Sequence, residues 1–285
     1  QGNTVLRKVQ IDANPGLDHT GWLCTYYVYD DLNNLRLIIP PKATKELTGS
    51  SWNLTQTIRD ELCFRYEYDA RNRPIIKKSP GAAETRIVYD VRDRMVLVQD
   101  GNRRNAHEWI YTRFDELNRT VATGTITDPT HYNDHAWHQQ QAAASADYPN
   151  LASYTHDELT NTFYDNYAWR SSYGNPLNDV RSSSYDSYFF TPDNNNWPYP
   201  QAMTQDNMLT GLVTGTRTKV PGTSTWLFSV IFYDDKGRVI QILSNNISGG
   251  SDILATQYNW AGKPLMTAMR TDKGGVNSQT TVVLT

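Results

Sequence analysis

Apolar and polar residues alternate with a period of two along several short stretches of this chain. Near its first quarter, Leu62, Phe64, Tyr66 and Tyr68 fall on one side, while Cys63, Arg65 and Glu67 fall on the other. Successive side chains of a strand point in opposite directions, so this period predicts a β-strand with unlike faces. Tyr, Phe, Val and Ile dominate such stretches, as suits a half-buried pleated surface. Leu35–Ile39 reads as a further strand, and Leu227–Tyr233 followed by Arg238–Ser244 reads as the clearest pair.

Between these stretches lies a recurring polar corner in which an aromatic is followed by Asp or Asn and, three residues later, by Asn, Asp or Gly. The copies open at Tyr29-Asp30 (with Asn33), Tyr68-Asp69 (Asn72, Arg73), Tyr89-Asp90 (Asp93, Arg94) and Phe114-Asp115 (Asn118, Arg119). Tyr233-Asp234 (Gly237, Arg238) and Tyr258-Asn259 (Gly262, Lys263) follow, and Tyr164-Asp165 is a decayed copy without the closing residues. An Asp at the first position accepts a hydrogen bond from the N–H two residues on. Asn, Asp and Gly tolerate positive φ. Together they suit a hairpin loop built on a type I turn with a left-handed residue at its end. The closing cation is expected opposite the aromatic that opens the turn, against its ring. Similarity extends into the flanks. Leu23-Cys24-Thr25-Tyr26-Tyr27-Val28-Tyr29-Asp30 aligns without gaps on Leu62 to Asp69, with Leu, Cys, two Tyr and Asp coinciding.

A unit repeated this often builds an architecture, because no single copy can bury its own apolar face. The predicted fold is mainly β, with serial antiparallel hairpins forming a large twisted or spiralling sheet and one or two short helices. An ordinary sandwich or barrel varies its turns and seldom repeats a hexapeptide. With these residues in view, the chain resembles the Rhs/YD-repeat family, in the style of large Bacteroidetes proteins. That family includes bacterial polymorphic-toxin proteins, shell subunits of insecticidal toxin complexes and the teneurins. The resemblance runs from about Gly21 to Thr271 and weakens between Asp128 and Gln205. It implies hairpin strips that spiral into a hollow shell, which in toxin members encloses a C-terminal effector. Two features depart from the pattern. The core-associated segment with its Asp-Pro signature is not recognisable, since Asp128-Pro129 lies in a polar loop. No effector region follows the last repeat either. The chain is therefore expected to be a piece of a longer protein, with too few hairpins to close a shell.

Three regions follow from the pattern. Residues 1–127 form a first repeat block with a short helix near 53–62, and Pro40-Pro41 ends a strand because proline cannot donate to a ladder. Residues 128–205 form an insertion with a helix near 135–147, where Ala and Gln are frequent. Degenerate strands are expected there around Tyr164–Trp169 and Tyr185–Thr191. Residues 206–285 form a second repeat block. The net charge of −3 gives no case for nucleic acid or an anionic membrane, and no apolar run of about 18 residues exists to span one. Equivalent residues of successive hairpins lie roughly 9–10 Å apart, beyond the reach of a disulfide. Cys24 and Cys63 are therefore expected to be free thiols.

Candidate chemistry is sparse. His131, His135 and His138, with Asp134 between them, are the only metal-like cluster, and no further ligand motif follows at zinc spacing. They read as solvent-exposed insertion residues. The repeat aspartates are explained by their turns rather than as a glycosidase pair. No nucleophile elbow, phosphate loop or zinc-protease helix is present. No catalytic residue, cofactor or metal is assigned, and the chain is expected not to be an enzyme. Trp109, Trp137, Trp169, Trp197, Trp226 and Trp260 are expected to fill a sheet face, with stacking on surface glycans as the alternative. The expected role is a structural segment of a secreted or cell-surface protein. Its partners are neighbouring repeats of the same polypeptide and a C-terminal effector. The rival readings are a carbohydrate- or receptor-binding surface module and a hydrolase sited in 128–205.

Overall fold

The computed structural model describes residues 2–189, 192, 199–274 and 278–284. Strands follow chain order, each hydrogen-bonded to its sequence neighbours in antiparallel fashion, as the repeating corners predict. Compact packing divides the chain into two units, residues 1–113 with 125–157 and residues 114–124 with 158–285.

The first unit begins with β1 (Leu6–Gln10), β2 (Trp22–Tyr29) and β3 (Leu35–Ile39), followed by helices α1 (Pro41–Gly49) and α2 (Gln56–Leu62). Then come β4 (Phe64–Tyr68), β5 (Pro74–Lys78), β6 (Thr85–Tyr89), β7 (Met95–Gln99), the short α3 (Gly101–Asn105) and β8 (Glu108–Phe114). Strand β9 (Thr120–Thr127) leads to α4 (His135–Ala143), whose first turn is capped by Asp134 accepting from Trp137 N–H at 2.9 Å.

Proline ends β3 and starts α1. Pro41 takes the first helical position, where a missing N–H costs nothing. The helix lays Ala43 and Leu47 on Leu37, Ile39 and Cys63, and Thr44 Oγ1 donates to the Cys24 carbonyl at 3.0 Å. Helix α2 is capped by Thr55, which accepts from Ile58 N–H. It absorbs Leu62, so the strand read from Leu62 onward begins at Phe64 instead. Cap chemistry prevails there over two residues of period-two pattern. Cys24 and Cys63 are buried free thiols.

In the second unit, β10 (Thr155–Tyr164) is followed by the helical turn α5 (Trp169–Ser172) and then β11 (Val213–Lys219) and β12 (Trp226–Tyr233). Strands β13 (Val239–Asn245), β14 (Ser251–Tyr258), β15 (Pro264–Asp272) and β16 (Ser278–Leu284) complete it. The core joins Phe228, Val230 and Phe232 of β12 to Ile253 and Ala255 of β14, and Trp169, Leu177, Tyr185 and Met203 from the intervening chain cover them.

The degenerate strands expected in this region are not where the aromatic residues suggested. The strand precedes Tyr164, Trp169 opens a helical turn, and Asp186–Tyr188 is a single 3-10 turn. Phe190 and Thr191 lie outside the described residues. Asp165 ends the strand by adopting φ 70°. The chain then folds Trp169 back on Phe163, with ring centroids 4.0 Å apart. Gly215 makes that close approach possible, since a Cβ there would lie 2.2 Å from the Trp169 ring.

Three fully buried glutamines tie covering chain to sheet, which the sequence pattern did not signal. Gln241 accepts from Ser182 N–H at 2.6 Å and donates back to its carbonyl at 2.9 Å, as a neighbouring strand would. Gln257 donates to the Gln201 carbonyl, and Gln99 to the Tyr132 carbonyl. Each carboxamide satisfies backbone groups that would otherwise be buried without partners. Of the tryptophans, Trp109 and Trp169 are buried, whereas Trp260 is 71 % exposed and Trp197 lies outside the described residues.

Candidate functional site

The residues of the repeated corner form one geometry. Asn33, Asn72, Asp93 and Asn118 have φ between 59° and 63°, and Gly237 and Gly262 have φ 70° and 84°. The Asp before them uses both carboxylate oxygens. Asp69 Oδ1 accepts the N–H groups of Arg71 and Arg73 at 2.9 and 3.0 Å, and Oδ2 accepts Arg73 Nε at 2.7 Å. Asp90 with Arg94, Asp115 with Arg119 and Asp234 with Arg238 repeat this pattern. In the first copy Asn34 replaces the arginine, its Nδ2 donating to Asp30 Oδ2. In the last, Asn259 Oδ1 accepts only the Lys263 N–H of this set. Burial works to raise the carboxyls of Asp69, Asp115 and Asp234, but these hydrogen bonds outweigh it and hold all three below the usual range.

The opening tyrosine looks backward along the series. A register shift sits at Tyr29, Tyr68, Tyr89, Tyr233 and Tyr258, where each hairpin bulges. Each hydroxyl donates to a main-chain carbonyl preceding or opening the previous strand. Tyr68 reaches Leu35, Tyr89 reaches Pro74, Tyr233 reaches Val213 and Tyr258 reaches Val239, at 2.7–3.1 Å. Phe114 has no hydroxyl with which to do this.

The cation looks forward. Arg73 lies over Tyr89 at 4.6 Å, Arg119 over Tyr164 at 4.2 Å and Arg238 over Tyr258 at 5.0 Å. This corrects the expectation that the cation packs on its own turn's aromatic. The Asp draws the guanidinium across its own turn, and the free face of that planar group meets the next repeat's ring. Arg73 also bonds Asp93 of the next turn at 2.6 Å. The hairpins that turn at Asp69 and Asp234 are thus held to the strand before and to the ring after. Replacing Tyr233 by Phe removes one hydroxyl bond to the half-buried Val213 carbonyl. It is expected to lower stability by about 1 kcal/mol, read as a lower urea midpoint at an unchanged slope.

The decayed copy keeps the grip. Arg119 reaches Asp165 with two bonds, at 3.0 and 2.7 Å. Those bonds, with one from Gly211 N–H, hold the Asp165 carboxyl down to about 2. Asp165 N–H donates to the Leu212 carbonyl at 3.1 Å, the role played elsewhere by the residue four positions on. Tyr164 pairs with Val213. Residues 166–211 are therefore inserted within one repeat turn.

The histidine trio is not the exposed set expected from sequence. His131 stacks on Trp137 with centroids 3.8 Å apart, and His135 Nε2 bonds the Ile87 carbonyl. His138 is fully buried. Its Nδ1 meets Tyr148 Oη at 2.6 Å, and its Nε2 lies 3.5 Å from Asp128 Oδ2. Among the described residues no three His, Cys, Asp or Glu side chains are grouped to hold a metal, and no helix is long and apolar enough to cross a membrane.

No family model matches the chain. A crystal structure of TcdB2–TccC3–Cdc42 matches 91 % of this chain and 11 % of its own at 13 % identity, with a TM-score of 0.42. One of TcdB2–TccC3 matches 90 % of this chain at 12 % identity, with a TM-score of 0.41. The Photorhabdus luminescens Tc holotoxin pore matches 90 % at 12 % identity, with a TM-score of 0.42. This chain spans about a tenth of the length of each of these structures.

Proposed function

We propose that the chain is a non-enzymatic wall segment of a secreted or cell-surface repeat protein, forming part of a β-shell around a C-terminal effector of the same polypeptide. The observation that carries this reading is the two-sided grip at the hairpin ends. Tyrosine to the previous strand and cation to the next ring make each unit incomplete alone and extendable in series. A device that propagates a sheet suits a wall. The engagement of Asp69, Asp90, Asp115 and Asp234 in their own turns supports a structural reading of these carboxylates.

The test uses the whole polypeptide, with a protease site placed in the region after the repeats. Protection of that site, lost when Asp90→Ala opens the turn series, is expected. Cleavage at the rate of an unfolded tail would overturn enclosure while leaving the hairpin fold intact.

A further inference from the structure

A cavity of about 510 Å³ lies in the first unit, between the loop joining β1 to β2 and helix α1. We propose that it binds a small apolar molecule carrying an acidic head group, a use independent of the wall reading. The volume falls within the range of small-molecule sites. The wall is apolar, formed by Ile11, Trp22, Leu23, Cys24 and Pro41. His19, Thr20, Lys45 and Thr48 supply its polar groups, and no carboxylate lines it. Thr44 also borders the space, but its hydroxyl is spent on the Cys24 carbonyl.

Charge selects the ligand's head. Lys45 is exposed, and among the described residues its ammonium makes no ion pair or side-chain hydrogen bond, so it can meet an anion without first losing a partner. The remaining surface is suited to rings or an aliphatic chain.

An independent feature marks the same place. Ser51 and Trp52 adopt φ 54° and 62° in succession, an uncommon conformation for residues with side chains. This backbone holds Trp52, 47 % exposed, edge-on to Tyr26 at 5.2 Å and 5.7 Å from His19, which lines the cavity. Strained backbone that fixes an exposed indole beside a cavity is the pattern of a ligand clamp.

The probe is 8-anilinonaphthalene-1-sulfonate, compared with the uncharged N-phenyl-1-naphthylamine of the same ring system. Saturable binding of one sulfonate probe per chain is expected. Lys45→Gln should weaken it about fivefold, as fits an exposed charge pair, and leave the uncharged probe unchanged. Thr48→Phe, on the exposed side of α1, should exclude both probes while the far-ultraviolet circular dichroism stays the same. No saturable binding, or binding indifferent to Thr48→Phe, overturns the site. Equal weakening of both probes by Lys45→Gln overturns the acidic head group.

Discussion

Replacing Asp90 by alanine is expected to lower the unfolding free energy by about 3–5 kcal/mol, the cost of breaking a buried ion pair by removing one partner. Its carboxylate is fully buried, and its Arg94 partner is 10 % exposed. The substitution removes the acceptor for the Arg92 and Arg94 N–H groups together with the closest counter-charge of the guanidinium. Arg94 retains its bond to the Ala146 carbonyl, which keeps the loss at the lower end. Asp30→Ala is the internal control. That turn is closed by Asn34 and its carboxylate is 30 % exposed, so the loss should be clearly smaller. Asp90→Asn preserves the Oδ1 acceptor and should fall between them. Equal urea midpoints for Asp90→Ala and Asp30→Ala would show that the buried pair does not hold the turn.

Acidification should weaken the first unit through His138. Burial lowers its pKa from 6.5 to about 4, against the attraction of Asp128. A histidine held neutral in the folded state binds its proton more readily when unfolded. The stability it contributes is therefore complete above about pH 6.5 and is lost as pH falls toward 4. The slope is about 1.4 kcal/mol per pH unit and the total about 3 kcal/mol. His135 is lowered too, mainly by burial, and adds in the same direction. The titratable groups acting on His138 are Asp128, His131 and His135, with Tyr148 bonded to its Nδ1. Because other carboxyls titrate in the same window, the measurement is a difference. His138→Gln should flatten the pH dependence of the urea midpoint between pH 7 and 4. Parallel curves for both proteins would place the acid sensitivity elsewhere.

Much of the fold was legible because its information is local. A turn that needs a left-handed residue writes Asn, Asp or Gly into the sequence, and Asn33, Asn72 and Gly237 stand where that conformation occurs. The flanking alternation then fixes strand order without reference to distant residues. What joins one hairpin to the next was hidden, because the partner of Tyr68 is the main-chain carbonyl of Leu35, 33 positions away, and a carbonyl leaves no side-chain signature. The cation was assigned to the wrong ring for the same reason. In the sequence Tyr68 and Tyr89 look alike as partners, and it is the ring of the following hairpin, Tyr89, that meets Arg73. The buried glutamines were unreadable as well, since their polarity argues for solvent exposure until the covering chain is in place. The chain around His138 failed differently. Ala and Gln announced a helix correctly, but the helix has little amphipathic contrast, so nothing told which of its sides would be buried.

The segment spliced between Asp165 and Leu212 has a consequence for engineering. Its two ends stand as far apart as those of an ordinary hairpin loop, joined by the same main-chain bond, and Tyr164 and Arg119 hold their neighbours as before. The turn is therefore a point of entry for further chain with adjacent termini, provided that the part carrying Trp169, Leu177, Tyr185 and Met203 is kept over the strands it covers.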